Sequence, residues 1–167
     1  MTFEPLATAP AAIQLHLVAA ACAILIGPVA LYRPRRDLLH KVLGRLWVVA
    51  MAVLAVSGLF IEASVLPLVG PFGPIHLFSV WALISLVQGM AAILRRDVAK
   101  HQAVMRALYW QALGIAGLLT LMPGRRLNAV LFDGTEERGL WVIAAVGLVA
   151  AVVIASRLRG RARGRAA

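Results

Sequence analysis

The chain is short of charge and shorter still of acid. Of its 167 residues 14% are charged, and only seven are Asp or Glu. Soluble domains carry about 25% charged residues, so this poverty excludes an ordinary globular domain and a disordered one alike. Cysteine occurs once, at Cys22. That excludes an internal disulfide framework and leaves the redox compartment unread. HExxH, CxxC, a nucleophile elbow and a Gly-rich phosphate loop are all missing, so hydrolase and nucleotide-binding chemistry find no support. Strand-like alternation is missing too. No basic cluster precedes the first apolar stretch, so a cleaved signal peptide is not expected.

What is present is apolar residue, 62% of the chain. Five long stretches hold most of it: about Ala11 to Tyr32, Leu38 to Val65, Pro74 to Leu94, Val98 to Met122 and Gly139 to Ser156. A helix needs about 20 residues to cross a bilayer, and only a helix satisfies its own backbone there without closing into a barrel. The expected fold is all-α, a five-span membrane bundle. Segment 1–10 leads in from outside, 127–138 forms an outer loop before the fifth span at 139–156, and 157–167 is a basic tail. Gly70-Pro71-Phe72-Gly73-Pro74 reads as a tight outer turn. Pro28 is expected to kink the first span about one turn before its inner end.

The net charge of +10 would suggest nucleic acid in a soluble protein. In a membrane bundle it sets orientation instead. Segments 33–45, 95–106 and 157–165 hold 14 of the 17 Lys and Arg residues. They therefore belong inside, with the amino terminus outside and the carboxyl terminus inside. The expected partners are the bilayer and the anionic lipids of its cytoplasmic face, and no nucleic acid. The expected location is a bacterial plasma membrane, crossed several times.

The chain also repeats itself. His16 matches His76, and Arg35-Arg36-Asp37 matches Arg95-Arg96-Asp97, both sixty residues on. His40 matches His101 and Arg45 matches Arg106, sixty-one on. Each half reads as an outer-side His, a helix, an Arg-Arg-Asp turn, an inner-side His and an Arg five residues later. Each half holds an even number of spans, so the copies run parallel. Repeats 11–65 and 74–122 would build a four-helix core over 11–126, with the fifth span packed outside it.

All four histidines of the chain fall in this repeat. A two-fold axis along the membrane normal would bring His16 towards His76 near the outer face, and His40 towards His101 near the inner. Helix rise separates the layers by roughly 20 Å. Ionisable groups in a membrane are costly and are functional candidates by default. Facing imidazoles are a natural way to hold haem iron in a bundle. The leading expectation is one or two b-type haems, with His16 and His76 on the outer and His40 and His101 on the inner. Electrons would then pass within or across the membrane, to or from a redox partner or quinone. If the chain is an enzyme, it is a membrane oxidoreductase. Asp37 and Asp97 can cap their helices, or reach a ring N–H of His40 and His101 as outer carboxylates do for ligating histidines. Arg45 and Arg106 either snorkel to phosphate head groups or pair with haem propionates. Trp47, Trp110, Tyr32 and Tyr109 read as an aromatic belt at the inner interface. The alternative is a non-redox transporter or accessory subunit whose histidines bind protons or a metal ion.

His40-Lys-Val-Leu-Gly-Arg45-Leu-Trp-Val, Pro74-Ile-His76-Leu-Phe-Ser, Asp97 with His101-Gln-Ala-Val-Met-Arg106, and Leu-Met-Pro123-Gly-Arg125 resemble the bacterial predicted membrane proteins of the domain-of-unknown-function 2306 family. The resemblance covers residues 10–126 and leaves out the fifth span and the tail. It implies membrane location and no activity. Gln102 stands where the family would carry a basic residue. A looser, architectural resemblance is to transmembrane di-haem b cytochromes. These take one His from each of four helices and pair first with third and second with fourth.

Overall fold

The computed structural model describes residues 8–34, 36–62, 69–132, 135 and 137–166, without the side chains of 153, 154 and 157–166. The end of the second apolar stretch up to Val65, Arg35, Asp133, Glu136 and the side chains of the basic tail lie outside this description.

Among the described residues the chain is helical, with a single isolated bridge between Val69 and Phe72. In order the elements are α1 (Ala11–Tyr32), α2 (Leu38–Leu59), α3 (Pro74–Leu94), α4 (Val98–Leu108), a π-helical stretch (Tyr109–Ile115), α5 (Ala116–Leu119), α6 (Arg126–Phe132) and α7 (Glu137–Ala166). Three of them, α1, α2 and α3, are long and apolar enough to cross a membrane. The stretch expected as a fourth span is helical from Val98 to Leu119, but in three pieces of differing pitch.

The helix ends follow from local chemistry. Proline excludes the helical conformation from the residue before it. Pro34 therefore turns Arg33 extended (φ −64°, ψ 123°) and stops α1 at Tyr32. Asp37 starts α2 by accepting the His40 N–H, and Asp97 starts α4 by accepting the Lys100 N–H. Gly73 and Pro74 open α3, where proline at the first position loses no hydrogen bond. The turn before it closes through a mutual pair of hydrogen bonds between Val69 and Phe72, with Gly70 at φ +56°.

The chain divides into two compact units, 6–117 and 118–167, the second also counting 1–5. In the first, α1 packs on α2, α2 on α3, α3 on α4, and α4 with its π-helical continuation returns to α1. The four helices thus form a closed ring in which α1 lies diagonal to α3 and α2 to α4. Trp47, Met51 and Leu54 of α2 meet Met105 and Leu108 of α4 in its interior. The flanking helices contribute small residues, Ala19, Ala23 and Ala30 from α1 and Ala82 from α3. Lipid gives helices no hydrophobic reason to associate, so close backbone approach through small residues is the usual basis of such packing. Gly27 shows it well: a side-chain carbon there would collide with the Tyr109 ring. Large apolar residues such as Leu25, Leu38 and Leu94 cover the outside, a surface that suits lipid.

In the second unit Asn128 is fully buried and donates through Nδ2 to the Leu121 carbonyl, 2.5 Å away. Gly139 lies so close to that carbonyl that no larger residue would fit.

Candidate functional site

Two prolines shape α1 by taking away donors. A helical carbonyl accepts from the N–H four residues on, and proline has none. Pro28 therefore leaves the Ile24 carbonyl without its helical donor, and Pro34 leaves that of Ala30. Both carbonyls are met from elsewhere in the ring. The Tyr109 hydroxyl donates to Ile24 at 3.4 Å, and the His40 Nδ1–H to Ala30 at 3.0 Å. Trp47 Nε1–H donates to the Ala23 carbonyl at 3.1 Å. Trp47 is therefore not an interfacial belt residue, as its place near the inner end suggested, but a buried member of the core.

His101 repeats the behaviour of His40. Its Nδ1–H donates to the Gly89 carbonyl at 2.8 Å. Each of these two histidines thus fastens its helix to the last turns of the helix before it, and both rings are half-buried. The aspartates do not hold these ring nitrogens. Asp37 and Asp97 accept backbone N–H groups, and Asp37 also binds Arg33 through two hydrogen bonds of 2.5 and 3.0 Å. That guanidinium, and then the His40 N–H, hold the Asp37 carboxyl down at about 2 against an ordinary 3.8.

His16 and His76 differ from each other. His16 Nδ1 lies 3.2 Å from Ser57 Oγ, and the Ser57 hydroxyl spends its one hydrogen on the Leu54 carbonyl at 3.1 Å. His16 is therefore the donor. His76 is buried in the first turn of α3, where its Nδ1 takes the Gly73 N–H at 3.0 Å. Its ring stands edge-on to Phe72, 5.0 Å between centroids. The same Nδ1 lies 3.3 Å from the Gly73 carbonyl, so its contacts fit either tautomer. In the other three rings the proton is on Nδ1 and Nε2 carries the free lone pair.

The four histidines thus sit two on the diagonal α1/α3 and two on the diagonal α2/α4. Among the described residues no three His, Cys, Asp or Glu side chains are grouped to hold a metal ion. Arg45 is exposed on α2. Arg106 is exposed on α4 with its guanidinium 5.3 Å from the centre of the Tyr32 ring. The sequence reading missed Ser57, Gly58 and Ser79. A side-chain carbon on Gly58 would lie 2.7 Å from Ser79 Oγ and 3.3 Å from His16 Cε1, so this glycine lets α1 and α3 bring polar groups over the backbone of α2. The partnership of Tyr109 with Ile24 was readable in principle, because Pro28 marks the carbonyl four residues earlier.

The family model described as "Predicted membrane protein" under the heading domain of unknown function 2306 matches residues 13–158. The chain belongs to that family. The match runs through the fifth apolar stretch, which the motifs alone had left outside it. No curated protein and no solved structure matches the chain.

Proposed function

We propose that this member of the domain-of-unknown-function 2306 family is a five-span protein of a bacterial plasma membrane that carries electrons through one b-type haem held by His40 and His101. Its amino terminus would lie outside and its basic tail inside, as the placement of arginine and lysine supports. The single observation behind the haem is the shared state of the two inner rings. Both spend Nδ1–H on a backbone carbonyl, at 3.0 and 2.8 Å, and both keep the Nε2 lone pair. That is the arrangement ligating histidines usually have: the far nitrogen is anchored, which fixes the tautomer and makes the near one more basic. They also stand on diagonal helices of the ring, the order in which facing ligands pair across a bundle.

The outer pair fits such a role less well. His16 keeps Nε2 free, but His76 is buried with its Nδ1 held against Gly73 at the start of its own helix, not anchored to a neighbouring helix. We therefore limit the reading to one haem at the inner end. Bound there, it would supply a one-electron carrier to a quinone or protein partner. Arg45, five residues beyond His40, supplies a fork suited to a propionate.

The test is the visible spectrum of protein purified from haem-sufficient cells. A Soret band that shifts on adding dithionite is expected. It should vanish in His40→Ala and in His101→Ala and persist in His76→Ala. Colourless protein that hemin does not colour would overturn the reading. The bare Nε2 atoms would then favour the alternative, a non-redox transporter or accessory subunit whose histidines bind protons or a metal ion.

A further inference from the structure

Where α1 runs out, Tyr32 stands between two residues of the α4 segment. Trp110 Nε1–H donates to the Tyr32 hydroxyl oxygen at 2.6 Å, and the Arg106 guanidinium stacks on the Tyr32 ring at 5.3 Å. Tyr109 closes the group edge-on against Trp110, 5.4 Å between centroids. The cluster is rich in donors. Tyr32 already accepts from Trp110, so its own hydrogen points away from that bond. Arg106 offers five N–H groups, and no carboxylate among the described residues pairs with it. The group is exposed as well, Tyr32 by 48% and Trp110 by 60%.

Below Tyr32, on the same face of α1, lie Val29 and Leu25, three and seven residues back. They are 46% and 75% exposed. An apolar stripe therefore leads up to a cationic, hydroxyl-bearing head at the end of a membrane-spanning helix. The ligand that matches both parts has a negatively charged oxygen cluster at one end and hydrocarbon at the other. We infer that Arg106, Tyr32 and Trp110 form a site for the phosphate of an anionic phospholipid, with an acyl chain along Val29 and Leu25. The guanidinium fork suits two phosphate oxygens, and the Tyr32 hydroxyl suits a third acceptor. Because Tyr32 belongs to α1 and the others to the α4 segment, the bound lipid seals the seam that closes the ring.

Thermal unfolding of the full-length, detergent-solubilised protein tests this, with phosphatidylglycerol, phosphatidylcholine or inorganic phosphate added. Phosphatidylglycerol should raise the midpoint by roughly 5 °C at saturation, since a ligand that binds only the folded state stabilises it. The other two should leave it unchanged. Arg106→Gln should abolish the rise. Tyr32→Phe keeps the stacked ring and should weaken apparent lipid affinity by roughly threefold to tenfold. Arg95→Gln, in the inner turn, should keep the full response. An equal rise with phosphatidylcholine, a rise with phosphate alone, or an unchanged response in Arg106→Gln would each overturn the assignment.

Discussion

The α1–α2 and α3–α4 turns of the ring share the sequence Arg-Arg-Asp and a nearby histidine, yet they are built differently. Between α1 and α2 the turn is five residues long, between α3 and α4 only three. One position accounts for it. Pro34 ends α1 at Tyr32, whereas its counterpart sixty residues on is Leu94, which continues α3. With the helix prolonged, the second turn must reverse abruptly. Asp97 N–H reaches back to the Ala92 carbonyl at 2.9 Å and Arg96 N–H to Ile93 at 3.0 Å, with Arg96 left-handed at φ +61°. This is a Schellman closure, and glycine usually holds that position. What survives the change in backbone is the histidine, which ties the new helix to the carbonyls of the old one in both turns. The fastening is thus more tolerant of loop geometry than the loop is of sequence.

The largest consequence separates the two histidines. Gly89 lies inside α3, so its carbonyl has a helical donor at Ile93 besides the His101 ring. Ala30 has no such donor, because Pro34 has no N–H. In haem-free protein, His40→Ala should therefore cost about 2 kcal/mol, the cost of a buried carbonyl left unmet, and His101→Ala roughly 1 kcal/mol. Reversible unfolding in mixed micelles measures both. In a Pro34→Ala background the two costs should converge, because residue 34 then carries an N–H. Equal costs with proline in place would break the comparison.

The sequence revealed much of this architecture and little of the site. The boundaries of α1 and α3 were legible to the residue, because Tyr32 is followed by an Arg-Pro stop and Pro74 opens a helix. The four histidines were legible as a set, because ionisable residues are rare in apolar runs. Their partners were not. A backbone carbonyl carries no mark in the sequence unless a proline exposes it, so the bonds to Gly89 and Ala23 could not be read. Trp47 was misplaced for a related reason. An indole near a helix end suits either the interface or a buried carbonyl, and only the packing of α1 against α2 decides. The π-helical stretch is also silent in the sequence. It begins at Tyr109, the residue that reaches the carbonyl freed by Pro28, so a demand set in α1 is met in the fourth helix.

A smaller contrast concerns the two arginines of the second turn. Left-handed backbone costs an L-residue roughly 1–2 kcal/mol. Arg96→Gly should therefore stabilise the protein by about 1 kcal/mol, measured by the same unfolding titration. Arg95, one residue earlier, has φ −83°. Arg95→Gly should instead lose about 0.5 kcal/mol by loosening the unfolded chain. A gain at both positions would mean that shedding positive charge, not backbone conformation, is what matters.

The smallest effect is electrostatic and confined to the first turn. Asp37 has Arg33 four residues before it, while Asp97 has Ile93 there. Asp37 thus titrates at about 2 in the folded protein, below its ordinary 3.8. A carboxyl whose folded value is depressed favours the fold above the ordinary value, and that contribution is lost as pH falls from 3.8 through about 2. Over this window the first turn of α2 should fray, visible as faster amide exchange at His40 and Lys41. Arg33→Gln should move the carbon-13 titration of the Asp37 carboxyl upward. Because the pair is exposed, high salt should do the same in the unmodified protein. If neither moves it, the depression comes from the cap bond to the His40 N–H alone, and the two turns would share one electrostatic design after all.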